Sequence, residues 1–87
     1  MSYLLIRHKV QNFDTWKRAY DDHRVARDVT GLKELRMLRS ISDPNDIVLL
    51  FEARDSQKAH AFARSPDLRE AMKGAGVIGI PEILELQ

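Results

Sequence analysis

A chain of 87 residues makes one small domain, in which a single core buries only a modest share of the surface. Having no cysteine, it can form neither disulfides nor thiolate or Cys/His zinc sites. Fourteen basic residues against thirteen acidic ones leave a formal charge of +1, without the basic excess of a nucleic-acid binder, so none is expected as a partner.

No apolar run approaches the length of a membrane span, and MSYLLIRHKV is too short for a signal peptide and lacks a small-residue cleavage site. The expectation is a cytoplasmic protein with no membrane partner. Small domains without disulfides or metals often gain stability from a second chain.

Tyr3 to Val10 alternates as a strand, with Leu4, Ile6, His8 and Val10 on one face and Tyr3, Leu5, Arg7 and Lys9 on the other. A helix is expected over roughly Phe13 to Val29. Asn12 suits its N-cap and Asp14 its first turn, and Gly31 is placed to end it. Along it Phe13, Trp16, Tyr20, His23 and Arg27 recur at three- and four-residue steps, and Ala19 and Ala26 broaden the stripe.

Leu32 to Ser40 reads as a second strand, the cluster SDPND at Ser42 to Asp46 as a turn, and Ile47 to Ala53 as a third strand, so these two strands form an antiparallel hairpin. A second helix begins near Asp55 or Ser56 with Ala59, Phe62 and Ala63 as its apolar face. It breaks at Ser65-Pro66, an N-cap followed by proline, and restarts with Leu68, Ala71, Met72 and Ala75 inward. The last strand runs from Gly76 or Val77 to Leu86. Pro81 cannot donate to a ladder, so that strand lies at an edge or carries an irregularity.

The order β-α-β-β-α-β is the ferredoxin-like pattern of the α+β class: a four-stranded antiparallel sheet with both helices on one face, in a single domain over residues 1–87. A sheet with one wet face should alternate apolar and polar residues. Ile47 to Phe51 and Leu4 to Ile6 are instead continuously apolar, and Ile83, Leu84 and Leu86 put apolar groups on both faces. The helix-free face is therefore expected to pack on its copy in a two-fold homodimer.

GAGVIG, from Gly74 to Gly79, matches the dinucleotide motif G-x-G-x-x-G letter for letter. That motif follows a strand and opens a helix, whereas here it follows a helix and opens a strand, with eight residues left after it. It reads as a helix end plus close backbone packing.

The segments LIRHKVQNFDTWKRAYDDH, RSISDPNDIVLLFEA, KAHAFARSPDLREAM and AGVIGIPEILEL, in that order, cover most of the chain. In them it resembles the dimeric α/β-barrel superfamily, and within it the small proteins called antibiotic-biosynthesis-monooxygenase-like or cyclase-like. The resemblance implies a homodimer with a pocket between each subunit's sheet and its helices. Relatives include cofactor-free monooxygenases of aromatic polyketides, haem-degrading enzymes, lactone isomerases and proteins with no known catalysis, so fold alone does not select a reaction. The chain lacks a clear axial-histidine constellation, and no cofactor is expected.

His8 faces the helices two residues from the end of its strand, about 7 Å back along it. The helix returning antiparallel reaches that depth four to five residues past Phe13, so His8 should lie near Trp16 and Tyr20, with His23 deeper and beyond a single hydrogen bond. In the functional reading, His8 and His23 are the proton-moving residues of a pocket walled by Trp16, Tyr20 and Phe62, which suits a small, flat aromatic ligand. In the structural reading, Trp16 and Tyr20 are core and the histidines are buried groups satisfied by neighbours. Asn12 and Asp14 read as helix-start residues and His60 as surface. Arg24, Arg27, Arg36 and Arg39 read as a solvated set. Asp21-Asp22-His23 makes no metal site, since adjacent helical positions diverge. The two functions in view are a cofactor-free monooxygenase or cyclase-like enzyme and a non-catalytic homodimeric binding module of the same fold.

Overall fold

The computed structural model describes every residue from Met1 to Gln87, in the order β1 (Ser2–Val10), α1 (Phe13–Asp22), α2 (Arg24–Thr30), β2 (Leu32–Arg39), β3 (Asp46–Ala53), α3 (Ser56–Ala63), α4 (Pro66–Gly74) and β4 (Val77–Leu86). The strands form one antiparallel sheet in the order β2-β3-β1-β4, the ferredoxin-like α+β arrangement. No helix is long and apolar enough to cross a membrane.

The alternation of β1 decides which side chains meet the helices. Leu4, Ile6, His8 and Val10 are buried under them, as are Ile47, Leu49, Phe51 and Ala53 of β3, which pairs with β1 from Ser2↔Ala53 to Lys9↔Asp46. Leu32 of β2 extends this layer, and Trp16, Ala59 and Ala75 close the core from the helix side.

Local signals in the sequence set the helix ends. Asn12 Oδ1 accepts from the Thr15 N–H at 3.0 Å, Asp55 Oδ1 from Gln57 and Lys58, and Ser65 Oγ from Leu68 with Pro66 behind it. Asn45, in the turn before β3, adds a cap from a distance: its Oδ1 accepts from the Phe13 N–H at 3.2 Å. Gly31 ends α2 at φ +79°, a left-handed conformation that a Cβ would strain.

The expected single helix over Phe13 to Val29 is instead two, divided at His23. In an unbroken helix the Tyr20 carbonyl would accept from the N–H of residue 24. Here it takes the His23 N–H at 3.2 Å and the Arg27 guanidinium at 2.8 Å. The side chain of Arg27 thus competes for the carbonyl that would carry the helix onward, and the Asp21-Asp22 pair sets negative charge at the negative end of α1.

The GAGVIG segment closes α4 and opens β4, with Gly76 at φ +88°. Both expectations for Pro81 hold. β4 is an edge strand, and its pairing with β1 slips between Arg7↔Glu82 and Lys9↔Ile78, so residues 79–81 bulge opposite His8 with Gly79 at φ +73°. On the helix-free face Leu84, Leu5 and Leu50 form one cross-sheet row, and Leu38 and Leu86 are largely exposed beside it.

Candidate active-site cleft

The spacing Trp16–Tyr20–Arg27 puts three side chains on one helical face across the α1–α2 break. They build a ladder that ends at β1. The His8 and Trp16 rings meet edge to face with centroids 5.5 Å apart and planes at 67°. Trp16 and Tyr20 stack at 4.8 Å and 22°. The Arg27 guanidinium carbon lies 3.6 Å from the Tyr20 ring centroid.

This ladder is one wall of a narrow cleft between sheet and helices, with about 50 Å³ of free cavity space. Ile6 and His8 of β1 and Leu49 and Phe51 of β3 form the floor. Phe62 of α3 and Leu68, Ala71, Met72 and Ala75 around α4 form the opposite wall. His23 also borders it, stacked on Phe62 at 6.3 Å and 29°. All five side chains expected at a pocket, His8, His23, Trp16, Tyr20 and Phe62, therefore border one cleft. No hydrogen bond joins the two histidines.

Two polar groups of the cleft, His8 and Tyr20, have their protonation set by their surroundings. His8 is 5% exposed, and no hydrogen bond reaches its buried Nδ1. Burial pushes its pKa below the ordinary histidine value, outweighing the opposing pull of its own backbone and of the Asp46 charge, so the imidazole is neutral at neutral pH. Asp46 is itself buried, and two bonds from the Arg7 guanidinium, at 2.9 and 3.3 Å, hold its carboxyl below the usual carboxylate range. Tyr20 donates its hydroxyl to Glu34 Oε1 at 2.6 Å. Burial, then that bond, raises its pKa, so the phenol stays protonated.

Arg27 departs from expectation. It is 8% exposed and borders the cleft, whereas its charge had suggested a solvated surface. Its place on the stripe with Tyr20 and His23 was the signal for burial, and stacking on Tyr20 with a bond to the Tyr20 carbonyl is what makes burial tolerable. Arg24, Arg36 and Arg39 are exposed, as expected, Arg39 with its guanidinium carbon 3.6 Å from the Phe13 ring centroid. His60 is exposed, as expected, and pairs with Glu85 at 2.7 Å. No group of three or more His, Asp or Glu side chains stands close enough to hold a metal ion.

No family model and no curated protein sequence matches the chain. Solved structures do. A protein of Bordetella bronchiseptica, provisionally named an antibiotic biosynthesis monooxygenase, superimposes with a TM-score of 0.76 over 99% of this chain and 94% of its own, at 18% identity. A mutant of SnoaB, a cofactor-independent oxygenase from Streptomyces nogalater, does so with a TM-score of 0.73 over 99% and 90%, at 12% identity. An uncharacterised NIPSNAP domain protein from Burkholderia xenovorans reaches 0.64 over 100% and 93%, also at 12% identity. The chain therefore has, along its whole length, the ferredoxin-like fold of the antibiotic-biosynthesis-monooxygenase-like proteins.

Proposed function

We propose that the cleft binds a flat aromatic molecule and that the protein oxidises it without a cofactor, with His8 as proton acceptor. The observation that carries this reading is the state of His8: a neutral imidazole on the floor of an apolar cleft, with neither ring nitrogen hydrogen-bonded to a protein group and only Nδ1 covered. A neutral imidazole can accept a proton from a bound ligand. The fold shared with a cofactor-independent oxygenase supports it.

His8 takes the proton of a phenol or enol. The resulting carbanion passes an electron to dioxygen and recombines with it as a carbon-bound peroxide, which recovers the proton from His8. Loss of water, using the hydrogen that remains on that carbon, leaves a quinone carbonyl. One oxygen atom ends in the product and one in water. His23, beside Phe62, is the second histidine available to a bound ligand.

The apolar row on the helix-free face, half-buried at Leu5 and Leu50 and exposed at Leu84, supports a homodimer formed through that face, leaving each cleft on the far side of its own sheet.

The test uses an anthrone as substrate, with an oxygen electrode and the quinone absorbance. The wild-type protein is expected to consume oxygen and form quinone in equal amounts, and His8→Asn to be slower by about 100-fold or more. His23→Asn assayed alongside assigns the proton step between the two. Undiminished turnover in both variants overturns the proton-acceptor role. Ligand binding without oxygen uptake establishes the non-catalytic binding module instead, a reading favoured by the complete covering of Nδ1 of His8. If aromatic acids, phenols and quinones all fail to stabilise the fold, the cleft is not a ligand site.

A further inference from the structure

Arg27 is a buried cation that the fold leaves without an anion. It is 8% exposed, and its side chain makes one hydrogen bond, from Nη1 to the Tyr20 carbonyl at 2.8 Å. Its other guanidinium nitrogens have no protein partner and keep contact with solvent, and since a guanidinium cannot neutralise itself, arginines as enclosed as this one are ordinarily paired. Asp21, Asp28 and Glu34 border the same basin but are taken up by Lys17 at 2.6 Å, Arg24 at 3.7 Å and the Tyr20 hydroxyl at 2.6 Å, and Asp22, the other carboxylate nearby in sequence, forms no ion pair with Arg27.

Its position says where a missing anion would sit. Tyr20 and Arg27 are the two residues shared by the apolar cleft and by a polar basin on the outer side of α1, α2 and β2. Lys33 and Arg54 border that basin, and neither has a carboxylate partner. An apolar cleft thus meets a basin with spare positive charge at one buried guanidinium, which is already seated over the last ring of the aromatic ladder.

We infer that Arg27 is the anion-binding residue of the cleft, so that its ligand is a flat aromatic body carrying a carboxylate or a similar planar anion at one end. This rests on the cleft being a ligand site. With the rings against Trp16 and Tyr20, the anion reaches Arg27 and the basin solvates its outer side. A planar guanidinium suits a planar carboxylate through paired, charge-assisted bonds. Recognition and chemistry are then divided, with Arg27 at one end of the ladder and His8 at the other.

The experiment compares naphthalene-2-carboxylate with naphthalene-2-carboxamide, equal in shape and different in charge, by calorimetry at pH 7. The wild-type protein is expected to bind the acid about tenfold more tightly or better. Arg27→Gln should remove that preference, so that acid and amide bind with equal affinity. Arg69→Gln, which removes an exposed charge elsewhere, should retain it. Because Arg27 also bonds the Tyr20 carbonyl, the wild-type protein is followed by NMR as well: the Arg27 Nε–H signal should shift with the acid and not with the amide. Equal affinities in the wild-type protein, an intact preference in Arg27→Gln, or no shift at Arg27 each overturn the inference while the cleft reading stands. If neither probe binds, the cleft reading falls and this inference with it.

Discussion

The edge of one ring between His8 and Trp16 meets the face of the other at 5.5 Å, a contact made across the turn that reverses the chain between β1 and α1. It joins the group proposed for chemistry to the largest side chain of the core. Changes at either residue should therefore be felt at both.

Trp16 is the chain's only tryptophan and is 2% exposed. Trp16→Ala should cost about 3–5 kcal/mol in denaturant unfolding. That is a large share of the roughly 5–15 kcal/mol available to a small domain. Trp16→Phe should cost less and keep the stack on Tyr20. A loss under about 1 kcal/mol for the alanine variant would show that the indole is not packed as described.

The pH dependence of stability follows from His8. Its folded pKa lies below the ordinary value of 6.5, which the unfolded chain regains. Above 6.5 neither state binds the proton and stability is flat. As pH falls below 6.5 the unfolded chain takes up a proton that the folded one refuses, so stability drops until the folded imidazole titrates too. Asp46 acts in a separate, more acidic window. Its folded carboxyl lies below 3.8, so its contribution is retained above that value and lost as pH falls through the folded one. Urea midpoints from pH 8 down to pH 5 should decline for the wild-type protein and be flatter for His8→Asn. Parallel curves would place the effect on another group.

Leu5 lies at the centre of the helix-free face, between Leu50 on β3 and Leu84 on β4. Leu5→Glu would set an unpaired carboxylate in the proposed dimer interface. It should weaken the dimer by about 100-fold or more and leave the circular dichroism spectrum unchanged. Light scattering after size exclusion checks both species, and a wild-type protein that is monomeric at every concentration refutes the interface.

Gly31 holds α2 and β2 together at φ +79°, where a Cβ would come within 3.2 Å of the Arg54 Cβ. Gly31→Ala should cost about 1 kcal/mol or more in thermal or denaturant unfolding. Gly74→Ala, where a Cβ meets nothing, is the control and should not destabilise.

The sequence by itself determined the element order, the capping residues, the two faces of β1 and the irregularity at Pro81. Each is local, since alternation, a cap or a missing N–H acts within a few residues of chain. The stripe through Trp16, Tyr20 and His23 was legible for the same reason, and so was the approach of His8 to Trp16, which needs only one chain reversal. Tertiary structure alone decided the break at His23, the fate of Arg27 and the openness of the space among those side chains. Arg27 shows the reason. Whether a guanidinium is buried depends on what it can stack on and bond to once the helices are seated, and Tyr20 offers it both a ring and a carbonyl. A cleft is likewise what packing leaves unfilled between α1, α4 and the sheet, a difference between volumes that no single stretch of chain specifies.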